Sequence, residues 1–201
     1  MPTWNEILAR NPQHSENYAQ RWRKFVAEGR DIDGEARLID ALAPRHARIL
    51  DAGCGTGRVG GYLAARGHHV VGVDLDPVLI NYARQDYPDC TWEVGDLCLG
   101  EIPAGEYDVI VSAGNVMGFL PAEGRLAALR AHADHLAPSG RAVIGFGAGR
   151  GWSFQQFLDD AASVGLYPSL LLSSWELHPF TEESEFLVAI LGAKESASPQ
   201  T

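Results

Sequence analysis

The sequence predicts an α/β protein of three layers: a sheet of seven strands, mostly parallel with an antiparallel last strand, plus N-terminal helices. Three observations carry this. From Ala47 onward, short apolar runs of strand length alternate with segments of helical spacing, the pattern of parallel strands joined by crossover helices. The first of those runs ends in a glycine-rich turn. The last two strand-like runs have no helix between them, which requires a hairpin and so an antiparallel closing strand.

Along the chain, Ser15–Glu28 sets Tyr18, Trp22, Phe25 and Val26 at helical spacing, with Arg21, Arg23 and Lys24 interleaved. A second helix follows Asp33, a residue suited to an N-cap, and carries Leu38, Ile39 and Leu42 on one side until Pro44 stops it. Strands are expected at Arg48–Asp51, Val70–Asp74, Thr91–Val94, Tyr107–Ser112 and Arg141–Phe146. Helices are expected at Arg58–Arg66, Pro77–Asp86, Glu123–Ala137 and Ser153–Val164. The closing strands lie in "LYPSLLLSSWELHPF" and "SEFLVAILGAK", with only "TEE" between them. The expected organisation is therefore a helical cap over 1–46, a single core over 47–194 and a disordered tail over 195–201.

Composition narrows the function. A chain of 201 residues with 46% apolar and 21% charged residues suits one well-packed domain. A formal net charge of -10, two lysines and scattered arginines make a polyphosphate backbone a poor partner, so no nucleic acid is expected. Cys54, Cys90 and Cys98 have no metal-ligand spacing and read as reduced thiols. The start of the chain lacks a signal-peptide pattern, and no run approaches the roughly 20 apolar residues that span a bilayer. A cytoplasmic protein with no membrane partner is expected; the sequence leaves its oligomeric state open.

The stretch "RILDAGCGTGRVGGYLAARGHHVVGVDLD", Arg48–Asp76, reads as strand, loop, helix, strand. Its glycines fit G-x-G-x-G (Gly53, Gly55, Gly57) and equally G-x-G-x-x-G (Gly55, Gly57, Gly60). Either pattern brings backbone close to a nucleotide and opens a helix N-terminus toward an anion. Asp74 ends the second strand, where a carboxylate accepts from ribose hydroxyls. Asp51 separates the candidate ligands. At the end of the first strand its charge repels a pyrophosphate and welcomes an ammonium, directly or through water, such as the one on the methionine end of S-adenosylmethionine. A short-chain nicotinamide reductase needs a Tyr four residues before a Lys, and here Gln20 and Ile190 precede Lys24 and Lys194.

With those residues in view, "ILDAGCGTG", "VVGVDLD", "VGDL" and "YDVIVSAGNVMGFL" resemble the successive cofactor motifs of class I, seven-stranded, Rossmann-like S-adenosylmethionine-dependent methyltransferases, over roughly Ala47–Lys194. The resemblance implies that Asp51, Gly53, Gly55 and Gly57 line the methionine portion and that Asp74 holds the ribose with Leu75 beside the adenine. It also implies that Asp96 and the Leu97 N–H meet the adenine edge, and that Ala113 presents backbone to the cofactor. In such enzymes an N-terminal segment often folds over the cofactor, which would set Tyr18 and Trp22 at the methionine end and Arg23 on its carboxylate.

Methyl transfer requires alignment and exclusion of water, and a base only when the nucleophile must lose a proton. After the fourth strand, "SAGNVMG" lacks the Asn/Asp-Pro-Pro-aromatic run of enzymes that methylate nucleic-acid bases, and no acid stands there for a divalent cation. A metal-free enzyme acting on a small-molecule acceptor is expected. Its pocket would be formed by the N-terminal helices, the Asn115 loop and the link that carries His178. No catalytic residue is identified; the weak candidates are Asn115, to orient the substrate, and His178, as a base or substrate contact. His132 and His135 read as surface residues. The alternatives are a non-catalytic S-adenosylmethionine-binding sensor or partner subunit and, less well supported, an NAD(P)-dependent oxidoreductase.

Overall fold

The structure, a computed structural model, describes residues 2–193. The expected tail over 195–201 and Lys194 lie outside the described residues. The elements are α1 (Trp4–Arg10), α2 (His14–Ala27), α3 (Gly34–Leu42), β1 (Arg48–Ala52), α4 (Arg58–Ala65), β2 (His69–Asp74), α5 (Pro77–Asp86), β3 (Thr91–Val94), β4 (Tyr107–Ser112), α6 (Val116–Phe119), α7 (Arg125–His135), β5 (Leu136–Gly147), α8 (Phe154–Ser163), β6 (Leu166–Leu172) and β7 (Phe186–Ala193).

The strands form one seven-stranded sheet in the order β3-β2-β1-β4-β5-β7-β6. Pairing is parallel from β3 through β5, and β7 runs antiparallel to both of its neighbours. Strand alternation sorts side chains between two cores. Leu50, Ile110, Ile144 and Leu187 point to the face covered by Leu129 of α7 and Phe157 of α8. Ile49, Val109, Val143 and Val188 point to the face covered by Ile39 of α3 and Leu63 of α4. Burial on both faces is why the central strands read as continuous apolar runs.

Side-chain caps fix the starts of α1, α5 and α8. Asp76 caps α5 by accepting from the Val78 and Leu79 N–H groups, with Pro77 in the first turn. Ser153 caps α8 by accepting from the Gln156 N–H.

Several expectations are corrected. Helix α1 was not anticipated, although Thr3 and Glu6 form a reciprocal capping box at its start. Asp33 makes no side-chain cap for α3. Instead Asp31 accepts from the Asp33 N–H and clasps Arg37 at 2.7 and 2.8 Å. The expected helix Glu123–Ala137 begins at Arg125 and gives way to β5 at Leu136, five residues before the expected strand. "APSG" there is an irregularity in the β4–β5 pairing, absorbed between Tyr107 and Val109, not a turn. The link between the closing strands runs from 173 to 185, much longer than "TEE", because β6 ends at Leu172. His132, expected at the surface, is fully buried and bonded to the Ser112 hydroxyl and the Ala128 carbonyl.

Candidate active site

The strand order reverses between β1 and β4, which extend away in opposite directions through their crossovers. In open α/β sheets ligands bind in the crevice beyond the carboxyl ends of strands at such a switch point. A cavity of about 420 Å³ lies there. Gly53 and Gly55 after β1, Asp74 and Leu75 after β2, Asp96, Leu97 and Cys98 after β3, and Ala113 and Gly114 after β4 line it. Thr3, Trp4, Asn5 and Glu6 of the α1 region, Tyr18 of α2, Val116 and Phe119 of α6 complete the walls together with Leu79, Leu120, Pro121 and Glu123.

The glycine loop is built tightly. Gly53 has φ +82°, and a Cβ there would stand 2.4 and 2.7 Å from the Val116 methyls, so the loop closes against α6 only without a side chain. Gly57 has φ +78° and packs under the Trp92 ring, where a Cβ would sit 2.8 Å from it. Gly57 therefore serves the packing of α4 and does not line the cavity, contrary to its expected place on the methionine portion.

Asp74 locks the loop. Its Oδ2 accepts from the Gly55 N–H at 2.9 Å and its Oδ1 from the Asp76 N–H at 2.9 Å. Burial pushes its pKa up to about 6, against the lowering effect of those two bonds. Asp51 is 2% exposed and lies beneath the loop, with Oδ2 accepting from the Gly60 N–H at 3.0 Å in the first turn of α4. Burial drives its pKa up to about 7, with Arg58 pulling back. Its side chain is absent from the cavity wall, so of the two expected modes, direct or through water, the direct one does not fit its position beneath the loop.

The remaining expected residues divide. Tyr18 lies over the loop, its Cε1 3.6 Å from the position of a Cβ on Gly55. Leu75, Asp96, Leu97 and Ala113 line the cavity, and the Asp96 Oδ1 accepts from the Cys98 N–H at 2.8 Å. Trp22 faces a different cavity, under the Arg58 guanidinium at 4.4 Å. Arg23 does not reach the site. It pairs with Asp86 at 2.6 Å and stacks on Tyr82, which ties α2 to α5. Asn115 opens α6 with φ +66°, and its Oδ1 accepts from the Gly147 N–H at 2.8 Å, which staples the ends of β4 and β5. His178 is exposed, touches Ser174 through Nδ1 and closes its own turn through the Ser173 N–H. Neither Asn115 nor His178 lines the cofactor cavity.

Residues not singled out in the sequence hold the site's roof. Trp4 is 8% exposed and donates from Nε1 to the Asp76 Oδ2 at 2.8 Å, and the Ser15 hydroxyl donates to the same oxygen. The Trp4 ring meets Tyr18 and Phe119 edge to face at 5.7 and 5.6 Å, which holds α1 across the cavity mouth. The "TWNE" capping box marks α1 in the sequence, but nothing local marks the partner 72 residues away.

These residues fit S-adenosylmethionine. The fixed Asp74 oxygens suit a ribose, Leu75, Leu79 and Leu97 offer apolar contact to a base, and the Asp51 carboxyl beneath the loop puts negative charge near an amino-acid end. Among the described residues no three His, Cys, Asp or Glu side chains gather as a metal site, and no helix is long and apolar enough to cross a membrane.

Comparison with known proteins agrees. The methyltransferase-domain family matches residues 49–140. A crystal structure of a TehB-like SAM-dependent methyltransferase from Corynebacterium glutamicum is 60% identical, covers 92% of this chain and all of its own, and superposes with a TM-score of 0.88. A Streptomyces venezuelae dTDP-3-amino-3,4,6-trideoxy-alpha-D-glucopyranose N,N-dimethyltransferase is 30% identical over 63% of this chain and 52% of its own length. The mouse 18S rRNA (guanine-N(7))-methyltransferase is 30% identical over 48% of this chain and 37% of its own. The chain spans about half or less of the length of those last two relatives.

Proposed function

The chain belongs to the class I S-adenosylmethionine-dependent methyltransferases, and from that membership we propose that it moves a methyl group to an oxygen, nitrogen or carbon of a small-molecule acceptor without a metal ion. The observation that carries the reading is the lock between the glycine loop and Asp74, set at the switch point of the sheet.

Bound in the cavity, S-adenosylmethionine supplies a methyl group on a positively charged sulfur that leaves as a neutral thioether. The chain's own part is to hold and enclose. Asp74 accepts from the ribose while pinned by two backbone amides, so its oxygens are fixed before the ligand arrives. Asp51 offers negative charge beneath an ammonium. Trp4, Tyr18 and Phe119 roof the cavity and exclude water. Asn115 is committed to Gly147 and His178 is exposed, so alignment of the two substrates, not proton transfer by either residue, is the source of rate in this reading.

The net charge of -10 supports a small acceptor over a nucleic acid, even though relatives carry both amino-sugar and rRNA names. The test is release of S-adenosylhomocysteine across a panel of small metabolites and, separately, ribosomal RNA. Turnover with a metabolite supports the proposal. Turnover with RNA alone overturns the acceptor class, and binding without turnover on any acceptor favours a sensor.

A further inference from the structure

The cofactor crevice has two lips, Gly53 after β1 and Ala113 after β4. The β1–β4 register ends with Asp51 opposite Val111, one residue short of the ends of both strands. The Gly53 and Cys54 N–H groups donate to the Val73 carbonyl of β2 at 2.8 and 3.0 Å, so the first lip is tied to the side away from β4. Across the gap to β4 the bond comes from a side chain: the Ser112 hydroxyl donates to the Ala52 carbonyl at 3.0 Å. Ser112 and Ala52 are fully buried, and each immediately precedes a lip residue, so this contact governs how far apart the lips stand.

Behind Ser112 stands His132 of α7, also fully buried, with Nε2 3.1 Å from the hydroxyl oxygen and Nδ1 2.7 Å from the Ala128 carbonyl. Three contacts meet here, and each needs a hydrogen. Burial pushes the His132 pKa down to about 4, so near neutral pH the ring is uncharged and brings one hydrogen, and Ser112 brings one more. A carbonyl only accepts, so the ring's hydrogen sits on Nδ1 facing Ala128, and Nε2 is a bare acceptor. The single hydroxyl hydrogen therefore has two seats. On the Ala52 carbonyl it draws the strands together and leaves Nε2 a buried acceptor without a donor. On Nε2 it satisfies the ring and leaves two oxygens facing each other with no hydrogen between them, which pushes the strands apart. Each seat carries a cost of the same kind, so the two states lie close in free energy.

We propose that Ser112 and His132 are positioning residues for the cofactor: ligand binding draws the Ser112 hydrogen onto the Ala52 carbonyl, His132 competes for it, and the pair thereby sets the spacing of the Gly53 and Ala113 lips. Neither side chain lines the cavity, so both act through the backbone of the lips. The proposal rests on the S-adenosylmethionine reading of that cavity, because a ligand that meets both lips at once is what selects one seat. The two residues act with opposite sign. Ser112 supplies the tie, and His132 draws it away. A pair that served packing alone would have no such opposition.

The experiment is calorimetric titration of the full chain with S-adenosylhomocysteine, joined to nitrogen-15 magnetic resonance of the His132 ring. Ser112→Ala deletes the tie and should weaken binding about tenfold, the scale of one hydrogen bond. His132→Leu deletes the competing acceptor and should tighten binding about twofold or more, as the binding-competent fraction rises toward one. His132→Gln, which keeps an acceptor there, should bind like the unaltered chain, with far-UV circular dichroism checking the fold of each variant. Phe157→Leu, in the same core but on α8, should lose stability in denaturant unfolding with affinity unchanged, which separates packing from positioning. In the unaltered chain the His132 Nε2 resonance, identified by its loss in His132→Leu, should move downfield on saturation with S-adenosylhomocysteine as the ring gives up the hydroxyl hydrogen. Weaker binding in both Ser112→Ala and His132→Leu, affinity indifferent to Ser112→Ala, or an Nε2 signal that the ligand does not move would overturn the proposal. Binding without turnover on any acceptor would count against the methyl-transfer reading alone and leave these binding results standing.

Discussion

Two carboxyls at the cofactor site, Asp74 partly buried on its wall and Asp51 buried beneath its loop, make affinity depend on pH. Asp74 has its pKa raised to about 6 and Asp51 to about 7, both chiefly by burial. In the proposed reading binding uses both as carboxylates, Asp74 to accept from ribose hydroxyls while it also accepts from Gly55 and Asp76, and Asp51 to face an ammonium. The sign follows: protons compete with the ligand, so affinity falls as pH falls through these values. At pH 5 Asp74 is ionised in about one molecule in eleven and Asp51 in about one in a hundred. From pH 8 to pH 5 the affinity for S-adenosylhomocysteine should drop about a thousandfold, or about 4 kcal/mol, with a slope of one between pH 7 and 6 and of two below 6. The ligand's carboxyl titrates below that span and its amino group only near the upper edge, around pH 8. Asp74→Asn should lower affinity at pH 8 by about 10- to 150-fold, the scale of charged hydrogen bonds, because one amide face now meets a backbone N–H. The same variant should cut the remaining pH dependence to about a hundredfold, and Asp51→Asn should cut it to about tenfold. Isothermal calorimetry across pH 5–8 reads all of this. An unaltered chain whose affinity moves less than threefold over that range, or an Asp74→Asn variant that keeps the full drop, would refute the reasoning.

Two more outcomes test the fold beneath the site. Gly53→Ala adds a Cβ at φ +82° and within 2.4 Å of Val116, so it should destabilise the chain by about 2–5 kcal/mol in denaturant unfolding; adding Val116→Ala should recover the steric part and leave about 1–2 kcal/mol of backbone cost. His132, buried and held down to a pKa of about 4, takes up its proton only on unfolding between pH 6.5 and 4, so stability should fall across that window by about 3 kcal/mol relative to His132→Gln; equal pH profiles for the two would contradict its burial as a neutral ring.

Much of the site was legible because its chemistry is written at short range. The loop glycines after β1, Asp74 at the end of β2, and Asp96 after β3 all sit at strand ends that the alternating pattern locates. Arg23 shows where that reading stops. Its helical position put it beside Tyr18 and Trp22, but α2 turns so that Arg23 meets Asp86 of α5 while Tyr18 meets the loop. Asp51 shows a subtler limit, since strand alternation predicts a face and not whether a carboxylate reaches a cavity or stops at the Gly60 amide beneath it. His132 belongs to the same class: a helix with no clear apolar stripe hides which face is buried until α7 is docked against Ser112.

The amino-acid order by itself determined the layered α/β architecture, the antiparallel closing strand, the glycine-rich turn after the first strand and the acid at the end of the second. These follow from period-two and helical spacing and from the steric needs of glycine, all of which act over a few residues. Packing decided the rest. Trp4 finds Asp76, Tyr18 divides two cavities, and the long β6–β7 link carries Trp175 to the second of them. Such contacts join segments tens of residues apart, and their free energy depends on surfaces that exist only once the sheet has assembled its helices.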